Sequence, residues 1–259
     1  MMTIGKPHTM ESLFGLFGAI INFILVFIAA SLTPGYDPRI NFISDLGYST
    51  YKSLFSIAFV IAGSLGIPFF INLERELVNI REPIRRLATA ASIITSLCIA
   101  LVGIIPDETY HEVFLLFHQF VAGFAFIGTC LYISLYSYLM YQGPRSKLYN
   151  GPVFKRILAY YGFTLNVPLV LFIITNSTII EWILYLLTLT WLILTAITLL
   201  KYKFFNIPGI YYSKKRYPDA LERFQEALNI LKRLNLEDDP IAQTLQENVD
   251  YLTEKLEKE

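Results

Sequence analysis

Six long apolar segments constrain this chain more than any other feature of its sequence. Each has at least about 19 residues and none contains Lys, Arg, Asp or Glu. A helix rises 1.5 Å per residue, so each segment can cross a hydrocarbon core about 30 Å thick. Lipid cannot satisfy exposed backbone amides and strand-like alternation is absent, which predicts helices. The segments are approximately residues 12–33, 53–73, 87–105, 113–141, 157–175 and 182–200.

The basic residues of the short connections alternate along the chain and predict its orientation. Those of loops two and four and of the segment after the last helix are Arg75, Arg81, Arg85, Arg86, Arg145, Lys147, Lys155, Arg156, Lys201 and Lys203. Loop one has only Arg39 and Lys52, and loops three and five have none. The positive-inside rule therefore predicts a multi-pass protein of the cell membrane with both termini in the cytoplasm and loops one, three and five outside.

The composition changes after the sixth segment. The whole chain is 54% hydrophobic and 16% charged, but residues from Phe205 onward carry 8 basic and 11 acidic side chains. Two amphipathic helices are predicted there, over residues 217–236 and 241–258, because apolar residues recur at spacings of three and four. We therefore expect an all-α protein with a transmembrane domain (residues 1–204) and a small cytosolic helical hairpin (residues 205–259).

This tail resembles the tetratricopeptide repeat. The aromatic and alanine positions of that motif correspond to Tyr211, Tyr217, Ala220, Phe224 and Ala227, and residues 239–245 resemble the opening of a following repeat. The tail departs from the motif at Pro208, which occupies the usual glycine position. Repeats of this kind need about three copies for stability. The tail is therefore expected to pack on itself, on the membrane domain, on a second copy or on a cytosolic partner; a plain helical hairpin is the alternative.

The first loop, residues 33–50, is longer and more polar than a turn between two membrane helices requires. Its polar residues are Asp37, Arg39, Asn41, Ser44 and Asp45. One interpretation makes them half of a site on the outer face, with Asp45 and Ser44 as catalytic candidates and Asp37, Arg39 and Asn41 as binding residues. The other makes the loop a structural cap, in which Asn41 and Asp45 satisfy exposed backbone amides.

The third loop and the fourth helix supply the opposing candidates Asp107, His111, Glu112 and His118. If a helix begins at Pro106, then Asp107, His111 and His118 lie within about 40° of one another around its axis. His118 then lies about 10 Å below His111, so the two histidines cannot bind the same ion. Asp107 and His111 could contribute to a metal or proton-transfer site, which leaves a divalent metal cofactor open. His118, inside the membrane, predicts either a pocket or a hydrogen bond between helices.

These residues carry a family resemblance. The string Pro38-x-x-Asn41-x-x-Ser44-Asp45-Leu46-Gly47 and the later Gly63 resemble the signature of domain-of-unknown-function family 998. Gly103-x-x-Pro106-Asp107, followed by His118-x-x-x-Ala122-x-x-x-Phe126, resembles its second block. The resemblance covers about residues 12–200. It implies a six-helix membrane bundle, widespread in archaea and bacteria, without an established activity.

Two functions follow as hypotheses. The first is a membrane pocket, open to the outer leaflet, that binds a lipid or its headgroup; an enzyme version would be a hydrolase or transferase using Asp45, Asp107, His118 or Ser44. The second is an anchor or sensor whose tail recruits a cytosolic partner or dimerises. A transporter is a third hypothesis, but no predicted span carries an intramembrane carboxylate and no broken inverted pair of helices is evident. Phosphate-binding loops and a basic patch are absent from the sequence, so no nucleic-acid partner is expected.

Overall fold

The structure is a computed structural model that describes residues 9–105, 112–145, 149, 151–203, 217–233 and 240–257. These residues form helices and no strands, so the predicted all-α class is confirmed. The helices are α1 (Thr9–Leu32), α2 (Lys52–Glu76), α3 (Glu82–Ile104), α4 (Glu112–Gln142), α5 (Arg156–Thr164), α6 (Asn166–Thr175), α7 (Thr178–Lys201), α8 (Tyr217–Arg233) and α9 (Pro240–Glu257). Two short 3-10 helices, Ile43–Tyr48 and Gly143–Arg145, lie between them.

Six stretches of the described chain are long and apolar enough to cross a membrane, as the sequence predicted. They are Met10–Leu32, Lys52–Glu76, Glu82–Ile104, Glu112–Arg145, Arg156–Thr175 and Thr178–Lys201. The sixth begins four residues before the predicted start at Trp182, and this difference brings Glu181 into the first turn of α7. The first four helices pack in sequence, each against the next.

The fifth span is broken in the middle, where α5 ends and α6 begins. Pro168 has no N–H to donate to the carbonyl of Thr164, so the regular helical ladder is interrupted there. Two side chains donate to the carbonyls on either side of Thr164. The Asn166 amide donates to the Phe163 carbonyl at 2.9 Å, and the Cys130 thiol donates to the Leu165 carbonyl at 3.7 Å. The break in the helix therefore lies beside two carbonyls, those of Phe163 and Leu165, that accept hydrogen bonds from side chains.

Close approach between helices depends on individual glycines. A Cβ added at Gly63 of α2 would collide with the Ser96 carbonyl oxygen of α3. Gly123 of α4, by contrast, has open space where its side chain would be. Small residues let helix backbones approach closely in membranes, and Gly63 performs that role here.

The chain divides into two compact units, Met1–Thr198 and Leu199–Glu259. In the second unit, α8 and α9 pack on one another around a core of their own, formed by Ala220, Phe224, Ala227, Leu228, Leu231, Ala242, Leu245, Val249 and Leu252. The predicted amphipathic helices are therefore present, with ends at Arg233 and Glu257. Whether they belong to the tetratricopeptide class stays a prediction, and Pro208 and Tyr211 lie outside the described residues.

Candidate functional site

Loop one folds into a small cap, which we define as residues 36–48. Its 3-10 helix places Ile43 and Leu46 in a buried apolar cluster with Val26 and Ala29 of α1 and Phe55 of α2. Leu46 has no exposed surface. Burial of a Leu or Ile side chain contributes about 1.5–3 kcal/mol, so these two residues hold the cap on the end of the bundle. The polar residues of the loop are thereby fixed against the helices.

The carboxylate of Asp45 is used within the cap. It accepts hydrogen bonds from the Phe42 N–H at 2.9 Å, the Asn41 side-chain amide at 3.3 Å and the Tyr48 hydroxyl at 2.8 Å. The side-chain oxygen Oδ1 of Asn41 accepts in turn from the Asp37 N–H at 3.1 Å. Asn41 and Asp45 thus satisfy backbone amides of a tight turn, which is the arrangement expected of the structural-cap interpretation.

The other charged residues of the cap face outward. The Asp37 carboxylate accepts from the Arg39 N–H at 2.9 Å and lies 3.6 Å from the Arg39 Nε. The Arg39 side chain is 81% exposed, so this ion pair is solvated and weak.

Tyr36 is half-buried and donates to the Phe42 carbonyl at 2.8 Å. Burial raises the pKa of Tyr36, so its hydroxyl stays protonated and keeps this bond.

The cap is tied to α7 by a buried carboxyl group. Glu181 is 4% exposed, and its Oε2 accepts the Ile43 N–H at 2.8 Å. The two residues are 138 positions apart in the sequence, so this bond joins the first loop to the sixth span. Carboxyl groups inside membrane proteins are rare because burying their charge is costly, and those that occur mark functional candidates.

An elongated cavity of about 150 Å³ lies beneath the cap, inside the first unit. Residues from the cap and from α1, α2, α3, α4 and α7 line it. Along α4 the lining runs from His118 to Tyr132, which corresponds to about 21 Å of helix axis. Most of the lining is apolar, with Phe55, Phe69, Ala125 and Leu192 among its members.

Polar groups line the cavity beside its apolar walls. Ser44 and Glu181 come from the cap and the start of α7, and His118 comes from α4. Further along, the Tyr185 hydroxyl donates to the Asn22 side-chain oxygen at 2.7 Å. That bond joins α7 to α1. We refer to Ser44, His118 and Glu181 as the polar end of the cavity.

The hydrogen bond of His118 assigns the tautomer of its neutral ring. It is 2% exposed, and its Nδ1 lies 2.7 Å from the Ile105 carbonyl oxygen. A carbonyl oxygen only accepts, so Nδ1 carries the proton that forms this bond. In the neutral ring, Nε2 is then a hydrogen-bond acceptor. Within the described part of the chain, this buried Nε2 has no hydrogen-bond partner.

The structure brings two of the predicted catalytic residues, Ser44 and His118, to one cavity. Asp45 and Asn41 are engaged in the cap, Asp37 and Arg39 are at its surface, and Glu112 is exposed at the start of α4. Asp107 and His111 lie outside the described residues. The roles assigned to all these residues stay predictions.

Sequence reasoning missed three residues of the cavity. Glu181 was assigned to the fifth loop because the apolar run was counted from Trp182. Its position beside that run was the available signal, since a helix usually extends beyond its apolar stretch. Asn22 and Tyr185 gave no signal of pairing, because they are 163 positions apart.

No group of three or more His, Cys, Asp or Glu side chains able to hold a metal ion occurs among the described residues. Asp107 and His111, which the metal hypothesis used, are not among them. Cys98 and Cys130 are both free thiols. The described residues alone therefore supply no set of metal ligands.

The fold and the cavity define a class: a multi-pass helical membrane protein with an internal, largely apolar cavity. The chain belongs to the family described as "Protein of unknown function (DUF998)", which matches residues 16–198. The resemblance seen in the Asn41–Gly47 string is thereby confirmed. Comparisons with curated proteins and with solved structures found no match.

Proposed function

We propose that the six-helix unit binds the chain of a lipid or another amphiphile inside its cavity, with the polar group of the ligand at the polar end. One observation carries this proposal: a long apolar cavity is bordered by Ser44, His118 and Glu181. Protein interiors are normally close-packed, with few voids larger than a water molecule. Apolar cavities of this size stay dry and take up apolar ligands. A lipid chain matches both the length and the polarity of the space.

The charge pattern of the loops supports an orientation for this site. Loops one, three and five are poor in Lys and Arg, which is typical of the outer side of a cell membrane. The cap is loop one, and Glu181 follows loop five. The polar end therefore belongs to the outer leaflet in this proposal, and the ligand enters from there.

Native mass spectrometry of protein released from nanodiscs tests the proposal. Wild-type protein is expected to retain one lipid or amphiphile at collision energies that remove annular lipid. Ala125→Phe, which fills the cavity, is expected to retain none. Ile127→Phe on the same helix is the matched control, because Ile127 is exposed on the lipid-facing surface. Equal retention by the three proteins, with all of them folded by circular dichroism, would refute the proposal.

A catalytic version of this function remains a proposal with one supporting observation. Ser44 and His118 line the same cavity, so a hydroxyl and an imidazole acceptor share one space. Such a pair could serve a hydrolase or transferase. Lipid profiles of membranes containing wild-type protein, Ser44→Ala or no protein test it. A profile that changes with wild-type protein and not with Ser44→Ala supports catalysis; identical profiles count against it.

The anchor or sensor alternative rests on the second unit. Helices α8 and α9 have an apolar core separate from the membrane spans, as expected of an attached module. In this alternative, the tail dimerises or binds a cytosolic protein. Light scattering of the solubilised chain, with and without residues 205–259, tests dimerisation. A dimer that becomes a monomer on truncation supports the tail as the contact, and an unchanged mass argues against it.

A further inference from the structure

The donors and acceptors of the polar end determine which headgroups the cavity favours. This inference rests on the proposed function. His118 contributes an acceptor, because its Nδ1 proton is used by the Ile105 carbonyl and its Nε2 has a free lone pair among the described residues. A buried acceptor without a partner has lost its hydrogen bonds to water and gained none in return. A ligand that donates a hydrogen bond to Nε2 would remove that penalty, whereas one that only accepts would not.

Glu181 adds a second acceptor, and unlike His118 Nε2 this one already has a partner. Its carboxyl group accepts one hydrogen bond, from the Ile43 N–H, and no salt bridge to it is found in the described part of the chain. Among the described residues, Asp45, which is also acidic, interacts electrostatically with Glu181. Within the described part of the chain, an anionic headgroup would therefore meet acidic neighbours and no cation, while a hydroxyl or an ammonium group would donate to acceptors.

Few of the residues that line the cavity near its polar end supply a donor. The Tyr185 hydroxyl is already used by Asn22, and Ser44 has a hydroxyl that both donates and accepts. The polar end thus consists of two acceptors, from His118 and Glu181, and of the Ser44 hydroxyl, which both donates and accepts. The geometry points to a single-chain amphiphile whose headgroup donates hydrogen bonds and carries no negative charge. A long-chain alcohol or amine has this chemistry, and a fatty acid anion does not.

The test uses four ligands with the same 12-carbon chain: dodecanol, dodecylamine, dodecyl methyl ether and laurate. Each competes with pyrene-labelled dodecanol for full-length protein in nanodiscs, and each dissociation constant is expressed as a mole fraction in the bilayer. The alcohol and the amine are expected to bind at least about 10-fold more tightly than the ether and the laurate, because a site built for a donor rejects analogues without one.

Two substitutions assign the selectivity to its residues. Glu181→Gln keeps an oxygen for the Ile43 N–H but removes the acid and adds a donor, so laurate should bind about 10-fold more tightly and dodecylamine more weakly. His118→Phe should reduce the preference for the alcohol over the ether. Thermal unfolding verifies that each variant is folded.

The outcomes separate the two proposals. Equal binding of the four ligands to wild-type protein would overturn the headgroup inference and leave the proposed function standing. Tighter binding of laurate than of dodecanol would overturn it as well. Absence of saturable binding for every ligand would refute the proposed function itself. If Glu181→Gln leaves the ligand selectivity unchanged, the role assigned to Glu181 in headgroup selection is refuted.

Discussion

Replacing Asp45 by alanine distinguishes a structural cap from a catalytic carboxylate. The substitution removes three hydrogen bonds to one carboxylate, from Phe42, Asn41 and Tyr48. Hydrogen bonds to charged groups contribute about 1.5–3 kcal/mol each. The carboxylate is only half-buried and Tyr48 is exposed, so water replaces part of this loss. We expect the free energy of unfolding to fall by about 2–3 kcal/mol in total.

The assay is thermal unfolding of the purified protein in one detergent, followed by tryptophan fluorescence. For a unit of about 200 residues, 1 kcal/mol corresponds to about 2–4 °C, so Asp45→Ala should lower the Tm by about 5–10 °C. Asp37→Ala is the matched control from the same cap. It loses one hydrogen bond and an exposed ion pair, and should change stability by less than about 1 kcal/mol. An unchanged Tm for Asp45→Ala would refute the cap interpretation.

Three further predictions concern packing and buried polar groups. Gly63→Ala should destabilise the protein by about 1–3 kcal/mol through overpacking, whereas Gly123→Ala should be neutral or stabilising by up to about 1 kcal/mol, both measured by thermal unfolding. Tyr185→Phe leaves a buried amide oxygen unpaired and should cost about 1–2 kcal/mol in the same assay. Leu252→Ala should cost about 2–5 kcal/mol and raise hydrogen exchange in α8 and α9, while exposed Glu247→Ala should not. Equal effects of Gly63→Ala and Gly123→Ala, or of Leu252→Ala and Glu247→Ala, would contradict the packing described.

The membrane architecture could be predicted from the sequence because one physical constraint, backbone hydrogen bonding in lipid, dominates it. Apolar runs without charges have to be helices that satisfy their own backbone, and the six spans follow from that requirement alone. The sequence determined the ends of the spans less well, since α7 begins before its apolar run and includes Glu181. Pro168 accounts for the break in the fifth span, whereas the Cys130 thiol that donates to the Leu165 carbonyl comes from another helix, so that contact depends on tertiary packing.

The candidate site was only partly predictable, because it depends on contacts between distant segments. The sequence identified loop one as unusual and His118 as an intramembrane candidate, and the cavity includes Ser44 and His118. It could not show that Asp45 is engaged by its own loop or that Ile43 donates to Glu181. Local spacing determines which residues share a helix face, whereas a 138-residue separation leaves no such pattern.

Photo-crosslinking tests the central claim, that an amphiphile chain lies inside the bundle, most directly. Dodecanol with a diazirine at the middle of its chain is equilibrated with protein in nanodiscs, irradiated, and located by peptide mass spectrometry. The account predicts saturable labelling of cavity residues such as Thr129 and Thr188, abolished by excess dodecanol and by Ala125→Phe. Labelling confined to the lipid-facing residues Phe124 and Ile127, and insensitive to competition, would contradict it.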